Sequence, residues 1–408
     1  MNQKLPPQKT PQRTPQPQRP PQARPTRAPY QPTVADRYGR PFLILLLTTV
    51  VLLVIGVIAL GVALCVSAWD SEPTPPTEQS TSDTPTKKPP QQSKPSTSTI
   101  KKKTDITLPC VTKSIPSYSL ANASVISDSH GIESTAGALI DVTNGRAVAA
   151  KNGGEKVYPA SMTKVMTLLV ACEKATDPTA LLTVTEEMAA RYKSFCTPGE
   201  SGPSIATGWE VGNQITVEDA LYAVIYKSDT YACWLLAEHI AGSEAAFVQL
   251  MNDRVASLGL SATTHFENST GLYHDNHYTT CIDMATIMAA AMNNATAKTV
   301  LTAKDRYVVD VYVAGKPSSS VEMWSGWYTG RLEKYPYGKA APYYAGNGSD
   351  IRLIAGKTGY ETIPKYCFVT AGQNDVTGTL FVCVQVGGSS AKASTDDSRE
   401  IYQQFATY

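Results

Sequence analysis

A chain of 408 residues with 36 Lys and Arg against 35 Asp and Glu carries a net charge of +1. Such a balance gives no electrostatic footprint for nucleic acid or for any strongly charged partner. Length allows two or three average domains, but composition concentrates the folding-competent sequence in one.

Residues 1–40 are rich in Pro, Gln and Arg, and residues 70–115 in Pro, Ser, Thr and Lys. Neither stretch holds enough apolar surface to offset the entropy of ordering. A disordered basic tail (1–40) and a disordered linker (70–115) are therefore expected. Between them, residues 41–69 contain no charged side chain. As a helix this run reaches roughly 40 Å, enough to cross a hydrocarbon core of about 30 Å with tilt. Eight basic residues precede it against a single acid, Asp36, which puts the N-terminus in the cytoplasm and the C-terminal bulk outside. The alternative is a secretory signal cleaved after Val66-Ser67-Ala68. The apolar run is longer than a signal core and its basic lead more extended, which favours a retained transmembrane helix.

Residues 116–408 form the one large domain. Residues 138–142 and 146–150 read as strands joined at Asn144-Gly145, a pair that accepts the positive φ of a tight turn. Val165, Leu168, Leu169 and Cys172 recur at helical spacing after Ser161. Further helices are predicted over 217–225, 231–240 and 243–258, the last closed by Gly259. Thr280-Cys281-Ile282-Asp283 fits a capping box opening another. Strands follow over 306–313, 365–371 and 379–386, then a final amphipathic helix over 395–406. Strand, helices, strands, helix describes a sheet built from both ends of the domain around a helical insert. Seven cysteines follow the apolar run: Cys110, Cys172, Cys196, Cys233, Cys281, Cys367 and Cys383. Scattered and odd in number, they fix no disulfide framework, and several read as small buried hydrophobes. With no CxxC pair, zinc is not expected.

Three short elements carry chemistry together. Ser161-Met162-Thr163-Lys164 opens a helix, and residues three apart share a helix face, so Lys164 reaches the Ser161 hydroxyl. A lysine deprotonates a serine only when desolvation or a nearby cation lowers its pKa. The helix N-terminus adds backbone donors for a developing oxyanion. S-x-x-K also occurs at Ser98–Lys101 and Ser389–Lys392, but neither precedes a long apolar helix. Ser228-Asp229-Thr230 is the second element. The third is Lys357-Thr358-Gly359, followed by Tyr360, which on a strand edge offers a cation and a hydroxyl to a carboxylate and a glycine for close backbone approach.

This trio, in this order, resembles the low-molecular-mass penicillin-binding proteins that act as serine-type D-Ala-D-Ala carboxypeptidases. The resemblance extends to Tyr158-Pro159-Ala160 before Ser161, Ala237-Glu238-His239-Ile240-Ala241-Gly242, Asn276-His277-Tyr278-Thr279-Thr280 and Ala355-Gly356 before Lys357. It implies an α/β (α+β), β-lactamase/transpeptidase-like three-layer domain: an antiparallel sheet flanked by helices, plus a helical subdomain. It also implies roles. Ser161 attacks the D-Ala-D-Ala carbonyl of a peptidoglycan stem peptide, and neutral Lys164 takes its proton. The N–H groups of Ser161 and Tyr360 hold the oxyanion, and Ser228 relays a proton to the leaving D-alanine with help from Lys357. Thr230, Lys357, Thr358, Gly359 and Tyr360 bind substrate, and β-lactams trap Ser161 covalently. No cofactor and no metal are implied.

Two departures stand out. Thr230 occupies a position where the family has Asn, and Thr offers fewer hydrogen bonds. The carboxylate-binding arginine that relatives carry near the C-terminal segment has no clear counterpart, with Lys392 and Arg399 the available substitutes. The rival readings are a β-lactamase-like hydrolase, disfavoured by the missing Glu-x-x-Leu-Asn segment, a D,D-endopeptidase, and a catalytically impaired wall-binding scaffold. His274 and His277 lack a third ligand and read as a structural loop, and His239 as a packed core histidine. The aromatic run from Trp324 to Tyr344 fits either a ligand groove or half-buried sheet aromatics.

Overall fold

The computed structural model describes residues 103–196, 203–204, 208–336, 344–346 and 349–406. The expected tail, the apolar span 41–69 and most of the linker lie outside these. Among the described residues no helix is long and apolar enough to cross a membrane.

The Asn-Gly hairpin forms as the sequence predicts. Strands β2 (Ala136–Asp141) and β3 (Arg146–Lys151) flank it, and the Asp141 carboxylate accepts from the Asn144 N–H at 2.9 Å. A two-residue strand, β1 (Ser124–Val125), joins β3 in parallel. The helical insert follows: α1 (Lys164–Lys174), α2 (Glu186–Phe195), α3 (Val217–Tyr226), α4 (Thr230–Ala241), α5 (Glu244–Ser257), α6 (Cys281–Met292) and α7 (Ala295–Thr302). Side chains of Thr216, Asp229, Ser243 and Thr280 cap α3 to α6, each accepting an N–H that the first turn leaves unpaired. The box predicted at Thr280 forms on one side only. Asp283 spends its carboxylate on the Thr263 and Thr264 hydroxyls at 2.6 and 2.7 Å.

The remaining strands are β4 (Leu181–Thr183), β5 (Asn213–Thr216), β6 (Tyr307–Val313), β7 (Lys316–Met323), β8 (Ile351–Glu361), β9 (Lys365–Asn374) and β10 (Leu380–Gly388), before the closing helix α8 (Ala391–Phe405). The main sheet runs β1-β3-β2-β10-β9-β8, so strands from both ends of the domain meet at β2 and β10, as the element order implied. Strand β6 departs from that expectation, joining β4, β5 and β7 in a separate four-stranded sheet. Six successive residues of β10, Phe381 to Val386, are buried, which requires cover on both faces of the main sheet. Helix α8 covers one face, where Thr370 meets Ser398 and Tyr402, and α6 packs against β2 and β10.

The linker boundary expected at residue 115 is too late. Ile106 is buried in the core, and the Lys103 and Thr104 N–H groups bond the Glu218 carboxylate at 2.8 and 2.7 Å. Lys103 also pairs with Asp219 at 2.8 Å. Composition missed this because the attachment is polar: two carboxylates buried at the start of α3 need donors, and residues 103–104 supply them. His239, expected in the core, is exposed on α4. A chain beginning at residue 116 should therefore melt about 5 °C or more below one beginning at 95, measured by differential scanning calorimetry; equal melting would remove the structural role of 103–115.

Candidate active site

Ser161 lies in a 3-10 turn (Ala160–Thr163) that runs directly into α1, whose first residue is Lys164. Helix α1 is sheathed by α3, α4, α5 and α6, so Lys164 enters a region with almost no water and is 2% exposed. Its Nζ lies 3.0 Å from Ser161 Oγ and also donates to the Thr270 carbonyl. Burial lowers the Lys164 pKa, against the opposing pull of Asp229, Glu361 and Glu244 among others. A neutral amine keeps one lone pair, and with Thr270 taking an N–H that lone pair is free for the serine proton.

The Thr270 carbonyl is itself placed by a compact loop. Asn268 Oδ1 accepts from the Thr270 and Gly271 N–H groups at 3.1 and 2.7 Å, and its Nδ2 donates to Leu272 O at 2.9 Å. Glu244 holds Ser269 through both its N–H and its hydroxyl. Gly271 has φ +83°, and a Cβ there would stand 1.9 Å from the Ala160 carbonyl oxygen. Only glycine fits between this loop and the serine turn. Ala160 has φ +46° as well, so the turn presenting Ser161 is strained as well as crowded.

Ser228 also sits at positive φ, +57°, between α3 and α4. Asp229 fixes that bend by accepting from Ala232 N–H and Trp209 Nε1, each at 2.8 Å. Lys357 on β8 reaches Ser228 Oγ at 3.0 Å, and is as deeply buried as Lys164. Its pKa is held well below the usual lysine value by burial, then by Lys164 and Arg331. Thr358, Gly359 and Tyr360 continue along β8, the terminal strand of its sheet, whose outer edge has hydrogen-bonding groups to offer.

Ser161, Lys164, Ser228, Thr230, Thr358, Gly359 and Tyr360 line one cleft of about 490 Å³, and Lys357 closes its wall behind Ser228. All eight residues singled out in the sequence thus converge. Sequence reasoning missed two charged members, Arg331 and Glu361. Arg331 sits in a π-helical turn (Tyr328–Glu333), its guanidinium 5.5 Å from the Phe368 ring centroid and bonded to Ala391 O at 2.8 Å and Ser394 Oγ at 3.1 Å. The two substitutes considered in the C-terminal segment do not line the cleft. Lys392 is exposed and pairs with Asp396, while Arg399 is buried against Tyr335 O. The cation that does line the cleft, Arg331, comes instead from an irregular turn with no periodic signal. The histidine loop is structural: His277 meets Thr163 Oγ1 at 2.8 Å, accepts from Glu267 N–H, and is pulled down by burial to about 3, so it stays neutral.

This fold is shared with solved DD-transpeptidases and carboxypeptidases. A Streptomyces DD-transpeptidase superposes with a TM-score of 0.57 at 23% identity, covering 67% of this chain and 97% of its own. A D-alanyl-D-alanine carboxypeptidase from Mycobacterium tuberculosis gives 0.53 at 21%, covering 69% and 93%. Residues 123–324 match the family described as D-alanyl-D-alanine carboxypeptidase. DacF of Bacillus subtilis is 36% identical over 157 residues, 38% of each chain. DacC of Escherichia coli is 28% identical over 237 residues, 57% of this chain and 58% of its own. The match thus spans 38% to 58% of the length of these curated relatives.

The crowding at Gly271 yields a direct test. Gly271→Ala must displace the Ala160 carbonyl and with it Ser161, so acylation by a fluorescent penicillin should slow at least ~100-fold while the far-ultraviolet circular dichroism of the domain is retained. Normal acylation in that variant would show that the serine turn does not depend on this contact.

Proposed function

We propose that the chain is a serine-type D-Ala-D-Ala carboxypeptidase that removes the terminal D-alanine of peptidoglycan stem peptides and is acylated by penicillins. The observation that carries this reading is the buried Lys164 amine, lowered in pKa, 3.0 Å from the Ser161 hydroxyl. Lys164 takes the Ser161 proton as Oγ attacks the carbonyl carbon, and the N–H groups of Ser161 and Tyr360 receive the oxyanion. Ser228, polarised by Lys357, returns a proton to the departing amine. Water then releases the acyl group.

The substrate carboxylate lies between Thr358 and Arg331, with Lys357 behind. An arriving anion also raises the pKa of Lys357, so the site takes up positive charge as it fills. Thr230 lines the same cleft at the first turn of α4 and stands where a substrate amide would pass. For the whole chain, the reading is a bitopic arrangement: the span 41–69 in the membrane and this domain on the extracytoplasmic side, facing the wall.

Fluorescent penicillin should label the wild-type chain and leave Ser161→Ala dark, with Lys164→Ala at least ~100-fold slower. Because the base works only when neutral, the wild-type labelling rate should fall as pH drops and Lys164 gains a proton, and rise with pH through its lowered pKa. A rate independent of pH, or full activity without Lys164, would remove it as the base.

Arg331 is tested through the substrate. Charge-assisted hydrogen bonds of about 1.5–3 kcal/mol make Arg331→Gln raise KM for a D-Ala-D-Ala peptide roughly 10- to 100-fold with a smaller change in kcat. A peptide with an amidated C-terminus should be a poor substrate for the wild type and equally poor for the variant. If the variant loses the same factor on both peptides, Arg331 does not read the carboxylate.

A further inference from the structure

Two cysteines far apart in sequence meet where the segment 103–115 crosses the buried helix of the nucleophile. The Cys110 N–H donates to the Cys172 carbonyl at 2.7 Å, capping an acceptor that the last turn of α1 leaves open. That one bond limits the distance between the two backbones. N to Cα is about 1.5 Å, and a carbonyl oxygen lies about 2.4 Å from its own Cα, so the two Cα atoms are at most about 6.6 Å apart. Disulfides occupy roughly 4.4–6.8 Å. The position is held from the other side too, since Asn294 at the N-terminus of α7 donates to the Cys110 carbonyl at 2.7 Å. The thiols sense each other electrostatically: ionising Cys110 raises the pKa of Cys172 beyond what burial does. Cys110 is half-exposed and Cys172 fully enclosed, and both are free thiols in this structure.

We propose that Cys110 and Cys172 are a disulfide site, which staples the entry segment of the domain to the helix carrying Lys164. The partial exposure of Cys110 makes it the residue that meets the oxidant. With oxidised glutathione, the Cys110 thiolate attacks one sulfur and expels one glutathione as thiolate. Cys172 gives up its proton and attacks the Cys110 sulfur of the mixed disulfide, releasing the second glutathione. Two protein thiols lose two electrons and two protons, and one glutathione disulfide becomes two thiols. The bond closes a long loop, which restricts the unfolded chain more than the folded one.

The sequence supplies a clean readout, because trypsin places Cys110 in peptide 104–113 and Cys172 in peptide 165–174, each with one cysteine. The purified full chain is incubated with oxidised glutathione, alkylated with iodoacetamide, digested without reduction and analysed by mass spectrometry. The expected result is these two peptides joined, and a melting temperature about 5 °C or more above that of the reduced chain. Separate alkylated peptides, or a glutathione adduct persisting on Cys110, overturn the proposal. So does an equal rise in melting temperature for Cys110→Ser. Penicillin labelling at Ser161 in the same samples reports the active site independently, so failure of the staple and failure of the enzymatic reading are distinguishable.

Discussion

The site depends on keeping two lysine amines out of water without giving either a carboxylate to touch. Lys164 and Lys357 are each almost fully buried, and among the described residues their nearest partners are hydroxyls and carbonyls: Ser161 and Thr270 for one, Ser228 and Thr358 for the other. A direct ion pair would favour the protonated form of each amine. Neutral contacts instead let desolvation set the balance, and the acids that oppose it at Lys164 act from a distance. Neither buried lysine is therefore neutralised by a carboxylate in direct contact. An anionic ligand supplies what the protein withholds, which couples its binding to proton uptake by the buried amines.

Two of the five non-glycine residues with positive φ among those described lie at the same place. Ala160, immediately before Ser161, and Ser228 both take positive φ without being glycine. Such conformations cost of order 1–3 kcal/mol each and persist only where the surroundings overdetermine them. At Ala160 the constraint is the 268–272 loop packed onto its carbonyl; at Ser228 it is the Asp229 carboxylate, bonded to both α4 and Trp209. The Ser161 turn is thus held by a loop remote in sequence, and the Ser228 bend by the helix cap that Asp229 forms and by Trp209. The largely buried insert of α1, α3, α4 and α6 provides the apolar stabilisation against which these costs are set.

What was legible in the sequence followed regular physics. The hairpin at Asn144-Gly145, the helices over 217–258 and the closing strands each carry a period and a terminator, and the eight motif residues are marked by their short spacings. The features not legible there are the irregular ones. Arg331 lies in a π-helical turn inside an aromatic run, so no spacing marked it as facing Thr358. Asn268 organises its loop through four side-chain hydrogen bonds that leave no pattern in composition. Strand β6 read correctly as a strand, but alternation cannot say which of two sheets receives it. Residues 103–115 looked like linker because, apart from Ile106, their attachment is made by backbone groups, threonine hydroxyls and one lysine, which leave no periodic pattern.

The position of β8 completes the argument for a peptide ligand. A terminal strand leaves a row of donors and acceptors open along its outer edge, a hazard that proteins ordinarily cover or blunt. Among the described residues only its first turn-side end is bridged, where Arg352 meets Tyr344. The part from Thr358 to Glu361 faces the cleft uncovered, with Tyr360 half exposed and Gly359 close enough to the Ala160–Ser161 turn that a Cβ would touch the Ala160 side chain at 3.2 Å. An extended peptide that adds to this edge satisfies the open backbone groups and, by the same register, lays one of its carbonyls beside Ser161. Edge exposure, serine strain and the buried amine are then parts of one device, each placed where an incoming strand would need it.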